Sequence, residues 1–259
     1  MTAGGAYNPS FSFIREEERM EKKRQIAAVL ILLALIGVIA YRHSTGKDLE
    51  KYEASFFDVF DTQTQIIGYA SSKEQFSEQM SLIKDKFQYY NDLYDIYHDY
   101  EGMNNIKTIN DNAGIQPVKV DEEIIELLKL GITMDEKTDG NMNIAMGSVL
   151  SIWHDYREAG SEDPYSAELP PMDELERAAE HTDIHNIVID EEASTVYLTD
   201  PDMSLDVGSI GKGYAVQKVA EYAKNELGIR YMLFSVGGNV CAIGGHPDGS
   251  AWAVGIQNP

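Results

Sequence analysis

From Phe76 onward, apolar side chains recur at alternating four- and three-residue steps: Phe76, Met80, Ile83, Phe87, Tyr90 and Tyr94. That period predicts a long helix with one buried face, and Ser71 with Glu74 reads as a capping box at its start. Asp121 opens a second helix carrying Ile124, Ile125, Leu127 and Leu128, closed by the turn Thr138-Asp139-Gly140. Gly160 to Pro171 reads as a loop, and Met172 to Glu180 as a short helix behind two prolines. A further helix over Gly213 to Leu227 turns Ala215, Val216, Val219, Ala220 and Ala223 inward and stops at Gly228.

Strand patterns fill the intervals. Thr62, Thr64 and Ile66 alternate within Ser55 to Gly68, and short apolar runs follow at Asn186–Ile189, Val196–Thr199 and Ser204–Val207. Tyr231–Val236, Val240–Ile243 and Trp252–Ile256 complete the set. Hairpins outnumber strand-helix-strand units, so the expected class is α+β, with mixed or antiparallel sheets and packed helices.

Ahead of this domain, Ile26 to Tyr41 is apolar on every face and carries no charge. As a helix it would be roughly 24 Å long, against a hydrocarbon core of ~30 Å, so Lys23, Arg24 and Arg42 would snorkel. The basic cluster Lys22-Lys23-Arg24 precedes it and fewer cations follow, which orients residues 1–25 to the cytoplasm. The expected organisation is a cytoplasmic tail over 1–25, one transmembrane anchor over 26–41, a linker over 42–54 and an extracytoplasmic domain over 55–259. A signal peptide cut after Val38-Ile39-Ala40 is the competing reading, and it also exports the domain.

Composition changes this picture in one respect. With 43% hydrophobic and 25% charged residues the chain is ordinary for a globular protein, but its formal net charge is −22. A surface so acidic excludes broad nucleic-acid binding, and an anionic ligand would need a metal or backbone donors at its site. Cys241 sits in an apolar run with no basic neighbour, the setting of an inert buried thiol. No His/Cys cluster has zinc spacing.

The stretch with chemistry in it is Leu205-Asp-Val-Gly-Ser-Ile-Gly-Lys-Gly-Tyr214, read as strand, glycine-rich turn and helix start. Small residues let a backbone approach phosphate closely, and a helix start points N–H groups at it. Asp206 adds a carboxylate, Lys212 a cation, and Ser209 a hard oxygen suited to Mg²⁺. The glycines fit neither a Walker A loop nor the Rossmann order, and a plain tight turn stays open as the alternative. A second cluster, Val236-Gly-Gly-Asn-Val240, reads equally as a hairpin turn or as a ligand contact.

Taken together, Asp206 to Val216, Val236-Gly-Gly-Asn239, Trp252 to Gln257, Thr138 to Ile144 with Gly147 and Trp153, and Phe60-Asp-Thr62 resemble the ApbE family of FAD:protein FMN transferases, in the family's order from about Ser55 to Pro259. The resemblance implies Mg²⁺-dependent transfer of FMN from FAD to a Thr or Ser hydroxyl of an acceptor flavoprotein, with release of AMP. It implies that Phe60, in place of the usual Met, touches the flavin. It also implies that Tyr97 packs on FAD, that Asn141, Met142 and Asn143 lie beside the nucleotide, that Asp206 and Lys212 bind FAD, and that Ser209 is a Mg²⁺ ligand. Asn143 stands where the family has Asp. The family's remaining metal ligands are expected beyond Pro259, so this stretch alone should bind metal poorly and lack activity. No residue is marked as the general base. An FAD pyrophosphatase with water as acceptor and a membrane-anchored FAD carrier without turnover are the competing functions.

Overall fold

The computed structural model describes residues 20, 22–23, 25–38 and 49–256, which fall into two units: Lys51–Gly245, and residues 1–50 with 246–259. In the smaller unit, residues 25–38 form helix α1, and its large apolar side chains from Ile26 to Val38 are 53–62% exposed. Among the described residues, no helix is long and apolar enough to cross a membrane. Ile39, Ala40 and Tyr41, the end of the expected span, lie outside them, as do Arg24 and Arg42. The strand expected over Trp252–Ile256 does not form. An extended run becomes a strand only when a neighbour pairs with its backbone, and neither described sheet includes it.

The larger unit is built on two sheets. The first has strand order β1-β2-β6-β7, from Glu50–Val59, Thr62–Ala70, Met232–Val236 and Asn239–Ile243. Strand β1 thus takes in Glu50–Ala54, within the stretch expected as linker. The antiparallel β2–β6 and β6–β7 registers pair Ile66 with Phe234 and Phe234 with Cys241. The second sheet has the order β3-β5-β4, from Val118–Lys119, Thr195–Leu198 and Ile187–Asp190, all antiparallel. The α+β expectation holds.

Helix α2, Lys73–Tyr94, buries every member of the stripe read from its spacing, with Leu93 in addition. Phe87 packs between Phe56 and Phe234, ring centroids 6.2 Å away on either side, and so joins helix to sheet. Each such fully buried side chain contributes about 1.5–3 kcal/mol. The cap falls one residue later than expected: the Ser72 hydroxyl accepts from the Gln75 N–H, while the Gln75 amide oxygen accepts from Ser71. Two adjacent serines make both registers available, and the extended backbone at Ser72 selects the second.

Helix α3 spans Ile106–Asp111, and α4, Glu122–Lys137, starts at its expected cap, Asp121. Helix α5 covers Gly147–Glu162 and so includes Gly160–Glu162 of the expected loop. Val149, Ile152, Trp153 and Tyr156 recur along it at helical spacing, although Gly147 and Val149 alone are buried. Helices α6, Met172–Ala179, and α7, Gly211–Asn225, follow the expected pattern, and α7 buries all five residues assigned to its inner face.

A second expected strand is absent as well. Ser204–Val207 runs extended but belongs to neither sheet. Its backbone is satisfied by other means: Leu205 by the Asn110 side chain, the Asp206 N–H by Ile144 O at 2.9 Å, and Ser204 O by the Gly147 N–H at 3.1 Å.

Candidate functional site

Phe60 and Asp61 form the two-residue link between β1 and β2, with φ of 53° and 49°. A short link between twisted strands demands positive φ at both positions, normally met by Asn-Gly or Asp-Gly. Here an aromatic residue adopts it, and the Phe60 N–H is held by Asn91 Oδ1 at 2.7 Å, from the last turns of α2. Strain of this kind persists where the surroundings impose it, and it places Phe60 on the wall of a cavity.

Tyr97 is placed by Asp95, directly after α2. The Asp95 carboxylate accepts from the Tyr97 N–H at 2.6 Å, from the Tyr100 hydroxyl at 2.7 Å and from the His98 N–H at 3.3 Å, and it meets His98 Nδ1 at 2.9 Å. Burial pushes this carboxyl up, yet the Tyr97 N–H, the Tyr100 hydroxyl and His98 together outweigh it and hold the pKa below the ordinary value.

The glycine-rich turn closes the cavity. Asp206 Oδ1 accepts from the Gly208 N–H at 2.8 Å, and Val207 O accepts from Ile210 and Gly211 at 3.1 and 2.7 Å. Asp206 therefore shapes the turn with its own side chain. Helix α7 begins at Gly211 with no side-chain cap; the Gly211 N–H is spent on Val207 O, and the N–H groups of Lys212 and Gly213 are left for another acceptor. The second glycine cluster comes close to this turn. Gly237 and Gly238, with φ of 51° and 92°, reverse the chain between β6 and β7, and Asn239 Oδ1 lies 3.3 Å from where a Gly213 Cβ would stand.

Four of the expected site residues, Phe60, Tyr97, Asp206 and Lys212, thus meet around one cavity of about 400 Å³. Its wall also carries Asn91, Tyr94, Asp61 and Asp95, and among the described lining residues Lys212 is the one Lys or Arg. Burial raises the Tyr97 phenol pKa, and the Asp206 carboxylate adds to the shift. A second cavity of about 540 Å³ adjoins the first, sharing Tyr97 and Asp206 and lined further by Leu150, Trp153, His154 and Arg157.

Asn141, Met142 and Asn143 do not line the first cavity. Asn141 Nδ2 donates to Thr138 O, the Met142 N–H to Thr138 Oγ1, and Asn143 Nδ2 to Thr182 O, while Asn143 Oδ1 accepts from Ala145. Their observed work is to brace the loop whose next residue, Ile144, receives the Asp206 N–H. Ser209 is exposed on the turn, and its hydroxyl has no hydrogen bond among the described residues. Cys241 is half-buried with its thiol pKa raised by burial, as expected of an unreactive cysteine.

Sequence reading missed Asn91, Asp95 and His154. Asn91 acts through a side-chain to backbone bond and Asp95 through bonds to Tyr97, His98 and Tyr100, which leave no periodic trace, although an Asp two residues before Tyr97 is a turn signal.

Comparison with known proteins matches the family described as "ApbE family" to residues 60–259. The FAD:protein FMN transferase of Escherichia coli K12 is 26% identical over 180 residues, 68% of this chain and 50% of that protein. The one from Treponema pallidum is 29% identical over 167 residues, 60% of this chain and 44% of that protein. The chain spans about half the length of the curated relatives it matches. Among solved structures, the ApbE protein of Thermotoga maritima superposes with a TM-score of 0.67 at 24% identity, covering 81% of this chain and 64% of that one. The flavin transferase ApbE of Vibrio cholerae gives 0.66 at 20% identity, covering 82% and 65%. These superpositions are likenesses of fold.

Proposed function

Because the chain belongs to the ApbE family, we propose that it acts as an FAD:protein FMN transferase, moving FMN from FAD to a Thr or Ser hydroxyl of an acceptor flavoprotein. The observation that carries this reading is the convergence of Phe60, Tyr97, Asp206 and Lys212 on one cavity at the uncapped start of α7.

In this reading the acceptor oxygen bonds to the phosphorus of the FMN half. The bond from that phosphorus to the bridging oxygen breaks, AMP leaves with that oxygen, and the hydroxyl proton is lost. The Lys212 ammonium and the first-turn N–H groups of α7 meet the charge on the phosphates. Asp206 keeps the turn in the shape that aims them, and Phe60 and Tyr97 supply apolar and aromatic surface for the ring systems.

A magnesium ion fits this donor set. It is ordinarily held by few protein oxygens together with phosphates and water, and the exposed, unengaged Ser209 hydroxyl offers one hard oxygen at the turn. When bound, it would neutralise the diphosphate as a Lewis acid.

Incubating the full-length protein with FAD, Mg²⁺ and an acceptor domain tests the proposal by intact mass. The expected result is an FMN adduct on the acceptor with AMP released, lost on Lys212→Ala. Free FMN without an adduct would point to a pyrophosphatase, and bound FAD without AMP to a carrier.

A membrane tether belongs to the same proposal. The apolar side chains of α1 are exposed on all sides rather than folded into a core, as suits a segment that meets lipid. Protease protection of intact cells, with the domain digested from outside, is the expected outcome for an extracytoplasmic domain on a retained anchor.

A further inference from the structure

Tyr97 lines both cavities, and the residue is 54% exposed. On the side of the second cavity it is stacked by His154 of α5, centroids 5.1 Å apart and planes 30° apart. The Tyr97 hydroxyl lies 3.5 Å from His154 Nδ1. That imidazole is itself fixed. Arg157 Nη2 approaches Nδ1 at 2.7 Å, and because a guanidinium only donates, Nδ1 is the acceptor and the ring proton sits on Nε2. From there it donates to Glu158 Oε1 at 3.1 Å. Arg157, His154 and Glu158 thus form one short chain on a single helix face, ending in a stacked aromatic pair.

We propose that His154 is a positioning residue for Tyr97, holding the tyrosine ring as the wall between the two cavities so that its other face meets an aromatic ring of FAD. This rests on the FAD reading of the first cavity. The backbone of Tyr97 is tied by Asp95, but the described ring partners of its side chain are His154 and His98. The His98 contact is a distant edge contact, with centroids 6.4 Å apart and planes 64° apart. Without the His154 face the ring is free to leave the wall. The two cavities would then merge, and the stacking surface would be lost whenever FAD arrives. His154 does not line the first cavity but shares the second with Tyr97 and Asp206, so the dependence of its effect on Tyr97 is what the test must read.

The test uses the full chain with Mg²⁺ and FAD, read by quenching of flavin fluorescence. His154→Ala is expected to raise the Kd for FAD about tenfold and to reduce the quenching, the scale of a lost aromatic contact. His154→Phe keeps the stack and is expected to restore both. In a Tyr97→Ala background, His154→Ala should add nothing further. Full additivity of the two substitutions, or an unchanged Kd in His154→Ala where Tyr97→Ala is impaired, overturns the proposal. A ligand-free readout separates it from the FAD reading. In the free protein, Tyr97 ring protons are expected to show NOEs to His154, and their shifts should collapse toward those of free tyrosine in His154→Ala. If wild-type protein binds no FAD, the FAD reading fails and the proposal with it, whereas unchanged Tyr97 shifts overturn the positioning role alone.

Discussion

Asn110 pairs with Leu205 as a strand neighbour would. Its Nδ2 donates to Leu205 O at 3.0 Å and its Oδ1 accepts from the Leu205 N–H at 2.7 Å. One side chain on α3 thereby satisfies both backbone groups of a residue that is 1% exposed and directly precedes Asp206. The segment entering the glycine-rich turn is held straight without belonging to a sheet.

Asn110→Ala leaves both Leu205 groups buried and unpaired. The expected cost is about 2–4 kcal/mol, measured by denaturant unfolding, together with weaker FAD binding because the Asp206 turn loses its anchor. Unaltered stability would show that water replaces the side chain.

Tyr94 presents the opposite case. It is 6% exposed, and its hydroxyl has no partner among the described residues. Burial drives its pKa up, with Tyr90 and Glu123 adding to the shift. Since the ring packs and the hydroxyl is desolvated without return, Tyr94→Phe is expected to leave stability unchanged or raise it by about 1 kcal/mol. A clear loss in thermal unfolding would mean the hydroxyl has a partner in solution.

Phe60 combines backbone strain with a place on the cavity wall. Phe60→Gly relieves a positive φ of 53° while losing the packing of the ring against the core. Both effects are of order 1 kcal/mol and oppose each other, so net stability should change little while FAD affinity falls by about tenfold. Titration and unfolding of the same variant check both halves. Equal loss in both would make Phe60 a folding residue.

His181 ties the end of α6 to the chain after β5, with Nδ1 at 2.9 Å from Asp200 Oδ2 and Nε2 at 4.0 Å from Asp202. The hydrogen bond that His181 donates to Asp200 raises the histidine pKa above its ordinary 6.5, assisted by the charges of Asp202 and Glu180. A raised folded pKa contributes stability that is full below pH 6.5 and lost as pH rises through the folded value. His181→Asn should therefore lower Tm most near pH 5.5–6.5 and progressively less toward pH 9. A constant difference across that range would deny the ion pair.

Much of the fold was readable where burial repeats with a period. The α2 stripe, the inner face of α7 and the Asp121 start of α4 all follow from apolar spacing and cap chemistry, which are local. Helix α5 carries the same spacing in Val149, Ile152, Trp153 and Tyr156 but buries few residues; it was not read from the sequence, and His154 was missed with it. Ser204–Val207 has the buried alternation of a strand, but alternation reports which face is covered. What pairs with the backbone, here Asn110 and Ile144, is invisible to it.

The motif residues followed the same division. Phe60, Tyr97, Asp206 and Lys212 could be picked out along the chain, and they do share a cavity. Asn141 to Asn143 could be picked out too; they lie outside the lining of that cavity, and the Asn141 and Asn143 side chains and the Met142 N–H bond Thr138, Thr182 and Ala145.

The order of residues was enough to establish the α+β class, the membership of the core and the chemistry available at the glycine-rich turn. Periodicity, capping and backbone freedom are properties of neighbouring residues. Folding alone decided which aromatic ring stands over that turn, which side chain substitutes for a strand, and that His154 stacks on Tyr97. Those contacts join residues dozens of positions apart, and no local pattern encodes the distance between them.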